Sequence, residues 1–151
     1  MPAATSHRPL FEVSFTPSDA LLIDRWLAPA TPDQLPNHYA DLLVLAHHHQ
    51  GCRFWLLDLR EHNWATPALG PWLAHTFARH AGQALGCPLF IAYVLDPAHY
   101  DKAAACAPPS LLRQCAAHQV YPYFFDCEQA ATQWLHHQQE LDVAYCARQS
   151  A

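Results

Sequence analysis

Two short stretches hold the residues best suited to binding or proton transfer. Arg60, His62, Asn63, Trp64 and Thr66 follow one apolar run, and Asp96, His99 and Tyr100 follow the next. A guanidinium can grip a carboxylate, imidazoles can move protons near neutral pH, and an indole or phenol offers a flat apolar face with a polar tip. Such a set suits an edge that docks a protein or ligand. It equally suits a small enzyme using Cys or His between Arg60 and Thr66. Arg60 also has close partners in sequence, since Asp58 or Glu61 could take its charge.

Other chemistry finds less support. The chain has twelve histidines, but neighbouring helical residues point about 100° apart, so His47-His48-His49 and His136-His137 cannot converge on one ion. No His-x-x-x-His pair and no Cys-x-x-Cys pair occurs, so no metal site is expected. The cysteines at 52, 87, 106, 115, 127 and 146 read as reduced, soft apolar residues, with Cys106 and Cys115 the most exposed beside Pro108-Pro109. Cys127 falls near a helix start, where a thiol can be activated. Four glycines, at 51, 70, 82 and 86, cannot build a phosphate-cradling loop, and Gly-x-Ser-x-Gly is absent. No cofactor is expected.

The elements that must position the two stretches alternate along the chain. Met1 to Pro9 lacks periodicity and reads as a flexible lead-in to one domain over 10–149. Phe11 to Phe15 alternates with period two, and a turn at Thr16-Pro17-Ser18-Asp19 leads into Ala20 to Leu27, a hairpin. Thr31-Pro32-Asp33-Gln34 predicts a helix start running to about Gln50. Arg53 to Leu59 and Leu89 to Leu95 are nearly continuous apolar runs of strand length, as expected of strands covered on both faces. Between them, a helix beginning at Thr66-Pro67 or Gly70-Pro71 places Leu69, Leu73, Phe77 and Leu85 inward and stops at Gly86. A short helix capped by Ser110, a strand Tyr121 to Phe125, and a helix capped by Asp126 with Gln129 complete the order. The last helix turns Ala130, Ala131, Trp134, Leu135 and Leu141 inward. The expected fold is α/β, a mixed sheet of about five strands with about four helices.

This order, with Trp55-Leu56-Leu57-Asp58-Leu59-Arg60 as central strand and following loop and Phe124-Phe125-Asp126 through Trp134-Leu135 as closing strand and helix, resembles the STAS superfamily. That is the sulfate-transporter and anti-sigma-factor-antagonist fold, and the likeness is greatest to its bacterial STAS/SEC14-like and SpoIIAA-like branches. The resemblance implies a regulatory, non-catalytic module that docks a protein partner and is modulated by a small or lipidic ligand. The family's antagonists carry a phosphorylated serine in the loop after the central strand. Here that loop reads Glu61-His62-Asn63-Trp64-Ala65-Thr66-Pro67, without the serine motif, and Thr66 is the remaining hydroxyl, a phosphate acceptor or an ordinary helix cap.

Composition narrows the partners. In 151 residues, 13 acidic against 8 basic side chains give a formal charge of −5, and Lys102 is the only lysine, so no basic stripe exists for nucleic acid. No apolar run approaches the roughly 20 residues a spanning helix needs. With no charged-then-apolar leader pattern at the start, the expectation is a cytoplasmic protein without stable membrane insertion. A homodimer through a sheet edge within Phe11 to Trp26 is the remaining partner expectation.

Overall fold

A computed structural model describes residues 9–28, 31, 33–61, 69–98, 100, 101 and 108–149. The expected lead-in therefore lies outside the described residues, apart from Pro9. The architecture is the expected α/β one, with a mixed five-stranded sheet in the sequential order β1-β2-β3-β4-β5. β1 (Phe11–Thr16) and β2 (Leu21–Trp26) form an antiparallel hairpin, while β3 (Phe54–Asp58), β4 (Leu89–Val94) and β5 (Val120–Phe125) add in parallel. All five residues of β3 are buried, which is why its sequence runs apolar without alternation.

Adding each parallel strand on the same side of the last, by crossovers of one hand, sends every connecting helix to the same face. That face carries Leu22, Trp26, Trp55, Leu57, Ile91, Tyr93 and Val120. It is covered by α1 (Leu35–His48), by the rod made of α2 (Leu69–Trp72), a π-helical turn (Leu73–Phe77) and α3 (Ala78–Leu85), and by α4 (Pro109–Ala117). The opposite face, with Leu21, Phe54, Leu56, Ala92 and Val94, is covered by α5 (Glu128–Gln149) through Ala131 and Leu135. Beside α5 an aromatic ladder crosses three strands, with ring centroids 5.5 Å apart for Phe54 and Phe90 and 5.4 Å for Phe90 and Tyr121.

Several boundaries move from their expected places. α1 starts at Leu35, not Thr31, with Pro36 in its opening turn where no N–H is needed. Thr31 and Gln34 form a separate turn ahead of it, in which the Thr31 N–H donates to Gln34 Oε1 at 2.8 Å. Ser110 is exposed inside the first turn of α4 and does not cap it, because the Leu111 and Leu112 N–H groups bond instead to the Pro108 carbonyl. α5 begins at Glu128, so Asp126 lies one residue outside the flanking position taken by Cys127. Leu141 is 50% exposed, because at 100° per residue it turns away from the stripe that Ala131 and Leu135 bury against the sheet. Cys115 is fully buried rather than exposed.

At the N-terminal end of the parallel strands, each strand is preceded by a left-handed residue: Ala20, Gln50 with Gly51, Gly86 and Gln119. Each reverses the chain within a few residues of the preceding turn or helix. The sheet's two edges differ. The Leu89 and Leu95 N–H groups donate to the Gln119 and Phe125 carbonyls, so the odd residues of β5 face β4 and Pro122 faces outward, where it removes an edge donor.

Two glycines test this geometry. In α3, a Cβ on Gly82 would sit 2.8 Å from the His118 carbonyl oxygen, so the backbone of α4's end comes as close as a glycine allows. Gly82→Ala is expected to lower the urea midpoint, although helix propensity alone would add about 1 kcal/mol. Gly86→Ala, forced to positive φ, should cost about 1 kcal/mol.

Candidate functional site

The C-terminal rim of the parallel strands is where β3 and β4 release their loops, and it is built from charges. Asp58 ends β3 on the face covered by α5, and Arg25 lies beside it on β2 in register. Arg60 folds back over Asp58 as a fork, with Nε donating to Oδ1 at 2.9 Å and Nη2 to Oδ2 at 2.7 Å, while its own N–H also reaches Oδ1 at 3.1 Å. Arg25 Nη1 donates to the same Oδ2 at 2.8 Å. Both guanidiniums then meet Glu128 in the first turn of α5, Arg25 at 2.8 Å and Arg60 at 3.1 Å. A carboxylate in that turn also suits the positive end of the helix dipole.

This lattice sets the protonation of its members. Burial would raise the Asp58 carboxyl, but the Arg60 guanidinium and N–H, with Arg25, outweigh it and hold the group below its usual value. The Arg25 hydrogen bond does the same for Glu128. Arg60 is raised, first by its bond to Asp58. Two cations and two anions balance, so the rim presents fixed, alternating charge rather than a net field. The side chain of Arg60 remains 43% exposed.

Of the expected site residues, Arg60 is at this rim and takes Asp58 and Glu128 as partners. His62, Asn63, Trp64, Thr66 and His99 lie outside the described residues. Asp96 is on the neighbouring strand exit, but its Oδ1 accepts the Ala98 N–H at 2.8 Å and closes a local turn. Tyr100 is partly buried and packs against the helix-covered core. Arg60 thus pairs with Asp58, one of its expected partners, and with Glu128 of α5.

A second polar group is buried beneath α1. Asp24 is 0% exposed, and its Oδ2 accepts from Trp26 Nε1 at 2.8 Å and from His38 Nε2 at 2.6 Å, leaving Oδ1 without a hydrogen-bond partner among the described residues. His38 lies flat on Phe11, with centroids 3.5 Å apart. Deeper in, the Tyr39 and Tyr93 hydroxyls share a 2.7 Å hydrogen bond, and burial raises both phenols. At 6% exposure, His38 has no face for a substrate, so this group joins α1 to the hairpin.

The thiols offer no activated nucleophile at the buried positions. Cys52 donates to the Ala20 and Phe54 carbonyls and is raised by burial, and burial pushes Cys115 up to about 11. Cys127 is exposed just ahead of α5. Among the described residues no cluster of three or more His, Cys, Asp or Glu could hold a metal ion, and no helix is long and apolar enough to cross a membrane. No family model matches the chain, and no match was found among curated proteins or solved structures.

Asp58→Ala strips both arginines of their shared anchor. With partners about one-third to two-fifths exposed, the expected loss is about 2 kcal/mol, between a surface pair and a buried one. Because the folded values of Asp58 and Glu128 lie below the unfolded ones, their contribution is complete above the unfolded carboxylate range near pH 4 and is lost as pH falls through the folded values. Urea midpoints measured downward from pH 5 should therefore drop less steeply in Asp58→Ala than in the parent. Separately, His38→Leu should cost about 3 kcal/mol by stranding Asp24, and Asp24→Leu combined with His38→Leu should cost less than the two single changes added, as a double-mutant cycle would read.

Proposed function

We propose that the chain is a non-catalytic, cytoplasmic regulatory or protein-interaction module of STAS-like type, and that it docks a protein partner through the C-terminal rim of its parallel strands. The observation that carries this reading is the Arg25–Asp58–Arg60–Glu128 lattice. It holds a half-exposed guanidinium in one position beside the partly exposed Glu128 carboxylate, so a complementary surface meets pre-ordered charges and loses little side-chain entropy on binding. The sequential strand order and the mixed sheet suit the family likeness of Trp55 to Arg60 and Phe124 to Leu135. Buried thiols held protonated, and no described hydrogen bond between a histidine and a cysteine, favour binding over a Cys- or His-dependent reaction.

Immobilised protein incubated with extract of the source cell tests this. The parent and an Arg79→Ala control, altered on an exposed position of α3, should retain the same protein, and Arg60→Ala should retain at least about tenfold less, the scale of a central charged contact. Equal retention by all three would move docking off this rim.

A further inference from the structure

We propose that a second copy of this chain pairs antiparallel along the free edge of β1, joining two five-stranded sheets about a two-fold axis through Val13. The Leu27 N–H donates to the Leu10 carbonyl, which places Leu10, Glu12 and Ser14 in the hydrogen-bonded positions of the hairpin and turns the N–H and C=O groups of Phe11, Val13 and Phe15 outward. Among the described residues these outward groups have no hydrogen-bond partner. This edge belongs to β1 alone, since β2 is interior between β1 and β3.

The strand is complementary to itself in one register. Only outward residues can exchange ladder bonds, so the pairings are Phe11 with Phe15, Val13 with Val13, and Phe15 with Phe11, and they use all three positions of both copies. Shifting by one pair loses a rung. In one direction that shift also sets Glu12 directly against Glu12, whereas the centred register sets Glu12 against Ser14. The half-buried Phe11, Val13 and Phe15 side chains share one face and gain cover from the same residues of the second copy.

The helix above the edge repeats the match. His38 stacks on Phe11 and His49 stacks on Phe15 with centroids 4.2 Å apart, so α1 runs along β1 from end to end. Asp41, Leu45 and His48 share that flank with His38 and His49 by three- and four-residue spacing. A two-fold axis at Val13 falls near the middle of α1. It brings Asp41 of one copy opposite His48 of the other, twice, with Leu45 near the axis. The other sheet edge is closed to further strands by Pro122, so the assembly ends at two copies and does not grow into a fibre.

Sedimentation equilibrium over a concentration series tests the pairing. The parent should approach twice the 17.0 kDa chain mass as concentration rises. Val13→Pro removes an N–H that bonds nothing among the described residues, and should stay at 17.0 kDa with unchanged far-ultraviolet circular dichroism. His48→Glu should weaken association roughly two- to five-fold, and adding Asp41→Lys to it should restore the parent value, since both positions are exposed. A parent that remains at 17.0 kDa at the highest soluble concentration, or a doubled mass indifferent to Val13→Pro, overturns the proposal.

Discussion

A strand with no wet face governs this molecule. Every side chain of β3 is buried, so both surfaces of the sheet must be roofed, yet sequential crossovers deliver all their helices to one of them. The other surface depends on α5, the one described helix packed on it. Its attachment is electrostatic at both ends. Glu128 meets Arg25 and Arg60 at the upper rim, and Asp142 meets Arg53 near the start of β3, where Arg53 also donates to the Pro88 carbonyl at 2.9 Å. Between those pins Ala131 and Leu135 supply the apolar contact, and Gln139 Nε2 reaches the Asp19 carbonyl at 2.8 Å.

The two faces thus differ in kind. The three-rod face is a large apolar core into which two polar pairs are sunk, Asp24 with His38 and Tyr39 with Tyr93, each joining α1 to a strand. Buried polar pairs add little net stability, but they penalise any packing that separates them, and so select one placement of a helix on a sheet. On the α5 face the charges sit at the rim and are half-solvated, where forked arginine contacts remain directional while their carboxylates stay ionised. Arg60 serves both ends: it fastens α5, and it lies two residues beyond the end of β3, where the loop leaves the sheet.

How much of this was readable from the chain depends on the range of the interaction. Apolar run length separates β3 and β4 from the alternating β1, and Gly86 with Pro88 marks the end of α3, because each signal is local. Helix starts were displaced where two candidate caps competed, as at Thr31 against Pro36 and at Ser110 against Pro108. Arg60 was identified as the charged residue of the β3 exit, with Asp58 among its possible partners. Its link to Glu128 and that of Arg25 to Glu128, 103 residues apart, have no local trace. Asp24 did leave a sign, since an acid between Leu22 and Trp26 on one side of a strand must find a donor indoors. Which of twelve histidines answers it is decided by the placement of α1.

The left-handed entries into β2, β3, β4 and β5 have a bearing on how such a chain can diversify. Residues 49–53, 86–88 and 118–119 make reversals so tight that one inserted amino acid would shift the next strand's pleat and expose its core side chains. The floor formed by these left-handed entries therefore acts as a ruler that fixes the pleat of every strand rising from it.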